Sequence, residues 1–88
     1  MPRWLYLGLW GWGVQIGPVP LKTGERLEAA LPGPGTIQIR DARGTLLLQE
    51  EVAEPTWSAV LNLPAGWYLF SWGDALGRSA VRRLLVVP

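Results

Sequence analysis

Acidic residues are the first candidates for chemistry in this sequence, because it contains no histidine and no cysteine. Ser-His-Asp and Cys-His catalysis and the usual zinc sites need one of those two residue types. Glu50 and Glu51 form a carboxylate pair, but neighbours on a strand point to opposite faces and cannot flank one glycosidic bond. Asp41 and Asp74 are potential calcium ligands, yet no Asp-x-Asp spacing supports a site, and isolated aspartates of this kind usually form turns. We therefore expect no catalytic residues, no bound metal, no cofactor and no small-molecule substrate.

The composition limits the kind of partner that the chain can have. Its 88 residues make one small domain with a net charge of +1, and only 17% of them are charged. That balance provides no strong field for nucleic acid or for an anionic membrane. Eleven glycines, eight prolines and six tryptophans, with almost no helical periodicity, favour an all-β domain with many turns.

The remaining elements are organised around an aromatic strand that follows a turn. Residues 57–63 alternate apolar with other residues, which indicates a strand with one buried face. The segment Pro64-Ala65-Gly66 predicts a tight turn, since proline lacks an N–H and glycine tolerates unusual backbone angles. Beyond the turn, Tyr68, Phe70 and Trp72 fall on one face. Three aromatic side chains in register would fill most of one layer of a small core.

Further strands follow from alternation and from the turns between them. Residues 25–31 predict a weak strand, with a short helix as the alternative, and residues 79–87 predict the last strand. The clearest hairpin joins residues 36–40 to residues 45–52 through Asp41-Ala42-Arg43-Gly44, where Asp41 can bond its own backbone and Gly44 can adopt positive φ. Gly17-Pro18-Val19-Pro20 is expected to be a stiff, extended connector.

About seven short strands at this spacing predict a β-sandwich of two antiparallel sheets packed face to face. We expect the side chains that face its interior to be aliphatic and aromatic residues of the four central strands: Ile37, Ile39, Leu48, Leu61, Leu63, Tyr68 and Phe70.

Residues 1–16 form an apolar segment that is rich in tryptophan. It fits the start of a signal peptide, but no small-x-small cleavage site follows. A membrane-spanning helix needs about 20 apolar residues, and glycines and prolines interrupt this run too early. A strand that is apolar on both faces is the interpretation we favour, with one face left for docking onto a partner chain, another copy or a membrane surface. Its aromatic residues are Trp4, Tyr6, Trp10 and Trp12.

Three stretches taken in order resemble a known family. They are Gly-Thr-Ile-Gln-Ile-Arg-Asp-Ala-Arg-Gly-Thr-Leu-Leu-Leu at 35–48, Leu-Asn-Leu-Pro-Ala-Gly-Trp-Tyr at 61–68 and Val-Arg-Arg-Leu-Leu-Val-Val at 81–87. This order is similar to the C-terminal sorting domain of proteins exported by the Bacteroidetes type IX (Por) secretion system. The resemblance covers about residues 17–87 and implies a seven-stranded Ig-like sandwich that the translocon recognises as a signal.

The resemblance begins at about residue 17, so we divide the chain into a docking segment, residues 1–16, and a sorting-domain-like module, residues 17–88. It implies a non-catalytic role in export or cell-surface attachment, in the cell envelope, through recognition of a protein partner. Arg82 and Arg83 are candidate partner-binding residues, with an ordinary solvated strand edge as the alternative. The alternative function is a small structural accessory subunit of a larger envelope or membrane-associated complex, docked through the N-terminal strand.

Overall fold

The structure, a computed structural model, describes residues 13–88, and all regular secondary structure in that range is β. Within the range there is no helix long and apolar enough to cross a membrane. The strands in chain order are β1 Gln15–Gly17, β2 Leu21–Lys22, β3 Arg26–Ala30, β4 Gly35–Asp41, β5 Leu46–Val52, β6 Thr56–Val60, β7 Gly66–Gly73 and β8 Ser79–Val87.

Two sheets pack face to face as a sandwich. One has three strands in the order β1-β3-β6, and the other has five in the order β2-β8-β7-β4-β5. The shortest dimension of the molecule is 18 Å, which suits two layers about 10 Å apart. The predicted all-β sandwich is therefore confirmed.

One pairing in the five-stranded sheet departs from the antiparallel arrangement that was predicted. β2 runs parallel to β8, with Leu21 opposite Val86 and Lys22 opposite Val87, while all other pairs are antiparallel. This two-residue strand was not predicted, because it is too short for any alternation to show. It also raises the strand count within residues 13–88 to eight, one more than expected.

The core lies between the sheets and includes most of the side chains that were predicted to face inward. Ile37, Ile39 and Phe70 are at most 1% exposed, and Leu48 and Leu63 pack against this centre while only partly buried. The two layers meet through an aromatic pair, Trp57 of β6 and Phe70 of β7, whose ring centroids are 5.7 Å apart. The set predicted to face inward did not include several aliphatic core members: Val14, Leu21, Leu27, Leu84 and Val86.

A tyrosine fixes the corner that leads into β7. The Tyr68 hydroxyl donates a 2.6 Å hydrogen bond to the backbone carbonyl oxygen of Pro64, and its ring is buried with Phe70 and Trp72 as the alternation predicted. A tyrosine that bonds back to the chain a few residues upstream is a feature of Ig-like sandwiches.

The connector between the sheets is not extended as predicted. Residues 18–20 form a bend that carries the chain from β1 in one sheet to β2 in the other. Both X–Pro peptide bonds in it, Gly17-Pro18 and Val19-Pro20, are cis. A fixed proline φ stiffens the chain locally but does not make it straight.

Candidate functional site

The predicted docking aromatics lie outside the residues that the structure describes. Trp4, Tyr6, Trp10 and Trp12 all precede residue 13. The last residues of the predicted segment 1–16 do fall within the described range. Val14 is fully buried, and β1, which begins at Gln15, pairs with β3.

The two arginines that were predicted to bind a partner lie on opposite faces of β8. Arg82 lies opposite Phe70 of β7, so it shares the core-facing side of the sheet. One of its terminal nitrogens would be 3.6 Å from a Cβ placed on Gly13. Arg83 lies opposite Leu69 on the outer side and is exposed. The two side chains therefore leave β8 on opposite faces, and partner binding by either arginine stays a prediction.

The aspartates that were weighed as calcium ligands act as turn formers. In the β4–β5 turn, Oδ1 of Asp41 accepts hydrogen bonds of 2.9 Å from the backbone N–H groups of Arg43 and Thr45. The bond from Thr45, together with Arg43, holds the pKa of Asp41 below its ordinary value of 3.8. Within residues 13–88, no group of three or more potential metal-ligating side chains is present.

The β7–β8 turn repeats this arrangement at Asp74. Oδ1 accepts 3.0 and 2.9 Å bonds from the N–H groups of Leu76 and Arg78, and Oδ2 pairs with the Arg78 guanidinium at 2.6 Å. Desolvation acts to raise the pKa of Asp74, but the bonds and charge of Arg78 outweigh it, so the pKa is lowered. Gly44 and Gly77 close the two turns at φ values of 88° and 84°, where only glycine is free of strain.

The two neighbouring glutamates lie on opposite faces of β5, as expected for adjacent residues of a strand. Glu50 lies opposite the core residue Ile37, and its Oε2 accepts a 3.0 Å hydrogen bond from the indole N–H of Trp57. Glu51 lies opposite Thr36 on the outer face. Glu50 thus links the edges of the two sheets.

The surface best suited to binding is the outer face of the five-stranded sheet. Its large exposed apolar side chains include Leu46, Trp67, Leu69 and Val81, and Trp67 is 55% exposed. A groove of about 310 Å³ lies beside Trp67 and Leu69 and is also lined by Ala42 and Arg83. Tryptophan and arginine are the residue types that most often anchor protein interfaces.

Cross-strand pairing arranges this face in rows. The central row crosses four strands and consists of Leu46, Arg40, Leu69 and Arg83. Arg40 is held in position, since it donates 3.2 Å bonds to the Gly44 carbonyl oxygen and to Oε1 of Gln38. The arrangement offers an apolar centre between two guanidinium groups.

Sequence patterning indicated which side Trp67 and Leu69 face but not their role. They alternate with the buried aromatics of β7, so they were expected on the opposite face. Their alignment with Arg40 and Arg83 depends on the register of three strands that are far apart in the chain. No local signal contains that information.

No protein-family model matches the chain, and no curated protein matches it. Among solved structures, it is similar to part of PorZ, an essential bacterial surface component of the type-IX secretion system of human oral-microbiomic Porphyromonas gingivalis. The two share 24% sequence identity with a TM-score of 0.72, over 86% of this chain. The chain spans 12% of the length of the PorZ chain. At this level of identity the likeness concerns the fold, and it shows that this β-sandwich also occurs within PorZ.

Proposed function

We propose that this protein is a non-catalytic recognition module of type IX secretion that acts in the cell envelope by binding a protein partner. The observation that carries the proposal is the likeness to a segment of PorZ over 86% of the chain. The three stretches at 35–48, 61–68 and 81–87 independently resemble the sorting domains of that system. In the fold they form the β4–β5 hairpin, the corner into β7, and β8. The more specific role is that of a sorting domain that export machinery recognises.

Export of a reporter protein tests the sorting role. The whole chain, residues 1–88, is fused to the C-terminal side of a reporter, because Val14 and β1 belong to the sandwich and a shorter fusion would remove them. We expect the reporter at the surface or in the medium of a type IX-competent cell. The same fusion in a strain without the translocon is the matched control. Equal release from both strains would refute the sorting role.

An accessory-subunit role is the second candidate, favoured by one observation. The similar solved structure is itself described as a surface component of the secretion system, and this chain corresponds to only 12% of it. In that role the chain would be a small part of an envelope complex, attached through its tryptophan-rich N-terminal segment. The reporter would then remain in the cell while the chain itself co-fractionates with a larger assembly.

A double substitution in the N-terminal segment tests this second role. We expect Trp10→Ser with Trp12→Ser to leave the melting temperature of the isolated protein nearly unchanged and to abolish its association in envelope extracts, measured as native mass. Trp72→Ser is the contrasting variant, because Trp72 is only 3% exposed and its loss should lower the melting temperature. If the double variant instead lowers the melting temperature as much as Trp72→Ser, residues 10 and 12 belong to the core and docking through them is excluded.

A further inference from the structure

The central row of the outer face places one apolar side chain between two positive charges. Leu69 of β7 lies directly opposite Arg40 of β4 on one side and Arg83 of β8 on the other. Because adjacent strands are about 4.8 Å apart, the two arginine Cα atoms are separated by roughly 10 Å. Leu69 is 40% exposed, so a ligand can contact it.

Neither arginine of this row is neutralised by a carboxylate within residues 13–88. Among the described residues, the Arg40 side chain bonds to a carbonyl and an amide oxygen, and the structure shows no hydrogen bond or ion pair for the Arg83 side chain. The central row and the next row, made up of Gln49, Gln38, Ser71 and Val81, contain no acidic residue. Glu51, the first carboxylate on this face, lies one row further away, opposite Thr36.

We infer that the central row binds an extended segment of a protein partner in which an apolar side chain lies between two carboxylates at positions i and i+4. In an extended chain the residues i, i+2 and i+4 point to one side and span about 13 Å. That span suits two long arginine side chains roughly 10 Å apart at their Cα atoms, with the middle residue on Leu69. Arginine binds carboxylates well because its planar group donates two parallel hydrogen bonds. The inference rests on the proposed function, since it identifies the partner's chemistry at a recognition surface.

Other occupants fit this row less well. A second copy placed symmetrically on the same face would bring arginines against arginines, with no carboxylate in either row. Membrane attachment through basic residues usually takes about four to eight of them in a cluster. Nucleic acid binding would need a larger positive field than a net charge of +1 supplies.

Two synthetic peptides test the inference by NMR titration of the full 88-residue chain. The acidic probe is Gly-Glu-Ser-Leu-Ser-Glu-Gly, and the matched basic probe replaces both glutamates with lysine. We expect the acidic probe to shift the backbone amide signals of Arg40, Leu69 and Arg83, with affinity in the millimolar range of small peptides. The basic probe should shift none of them.

Variants on the two sheets distinguish binding at the central row from non-specific binding elsewhere on the protein. Arg83→Glu and Leu69→Ser should each weaken the acidic probe about tenfold or more. The matched controls are Arg26→Glu and Val60→Ser, because Arg26 and Val60 form an exposed cross-strand pair on the outside of the three-stranded sheet. Both controls should bind the acidic probe as the parent protein does.

Four results would overturn the inference. The first two are equal binding of the two peptides and signal shifts confined to the three-stranded sheet. The third is shifts at the row that follow protein concentration without any peptide, which would indicate self-association, and the fourth is the absence of any shift.

Vesicles of phosphatidylcholine and phosphatidylglycerol provide the lipid comparison. Binding to them that Arg83→Glu removes, without binding of the acidic peptide, would assign the row to lipid and refute a protein partner. None of these outcomes alters the export result, so the proposed function is judged separately.

Discussion

Gly35, the first residue of β4, lies where two strands approach too closely for any side chain. A Cβ placed there would contact the backbone carbonyl oxygen of Gly73 and would lie 2.6 Å from Nε1 of Trp72. The same indole N–H donates a 3.1 Å hydrogen bond to the carbonyl oxygen of Gly33, so it is not free to move away. The absence of a side chain at residue 35 therefore allows Trp72 to reach its place in the core.

We expect Gly35→Ala to lower the free energy of unfolding by about 1–3 kcal/mol, as overpacking of a core usually does. Chemical denaturation monitored by tryptophan fluorescence measures the change. Gly33→Ala is the matched control, since a Cβ at residue 33 meets nothing within 4 Å. It should stay within about 0.5 kcal/mol of the parent protein. Similar losses for both variants would show that glycine is required in this loop for its backbone and not for the space at residue 35.

The two turns that join β4 to β5 and β7 to β8 are built on the same plan. In each, the aspartate N–H donates a 3.0 Å bond to a carbonyl oxygen four residues ahead, and its carboxylate accepts two backbone N–H groups. Both carboxylates also pair with an arginine of their own turn. The turns fix the register of the two hairpins that carry Arg40, Leu69 and Arg83.

The turns should make stability depend on pH. Because the pKa values of Asp41 and Asp74 are lowered in the folded protein, they stabilise it above their unfolded pKa, near 3.8, and this contribution disappears as pH falls through the lower folded values. The variant Asp41→Asn with Asp74→Asn keeps an acceptor oxygen but does not titrate. We expect it to melt below the parent protein at neutral pH and to converge with it as the pH drops below 3.8.

Melting curves recorded from neutral pH to about pH 2 would show the convergence. A difference in melting temperature that stays constant over the whole range would mean that amide geometry, and not charge, accounts for the effect of the substitution.

Local chemistry explains which elements could be predicted from the sequence. The Asp41–Gly44 hairpin and the β7 strand were predicted correctly because turn residues and alternation lie within a few positions of each other. β2 and its parallel pairing with β8 were missed, since Leu21 and Val86 are brought together only by the complete fold. The central row was missed for the same reason. The register of β4, β7 and β8 aligns Arg40, Leu69 and Arg83, and no local pattern in the sequence indicates that register.

At the scale of the whole molecule, one side chain joins the two layers. Phe70 is fully buried and lies against Trp57 of the other sheet. We expect Phe70→Ala to cost about 3–5 kcal/mol, a large part of the 5–15 kcal/mol that typical domains have. A circular dichroism spectrum at 25 °C should then show a measurable unfolded fraction. A thermal melt followed by the same signal should show a lower melting temperature than that of the parent protein.

Leu76→Ala is the control for that experiment. Leu76 is 83% exposed at the tip of the β7–β8 turn, so its truncation should leave the melting temperature almost unchanged. A fold that survives Phe70→Ala as well as it survives Leu76→Ala would mean that the sheets are held together without the aromatic contact.

The parallel pair formed by β2 and β8 has a mechanical consequence. Leu21 is fully buried beside Val86, and just beyond β2 the backbone N–H of Thr23 donates a 2.9 Å bond to the Val87 carbonyl oxygen. Tension that draws Leu21 and Val87 apart acts along both strands. The strands can then separate only by sliding past each other, so the hydrogen bonds between them are loaded in shear and break together. The ends of an antiparallel hairpin such as β4–β5 would instead peel open one bond at a time. Strand direction at this edge thus makes the sandwich resist a pull along its own polypeptide.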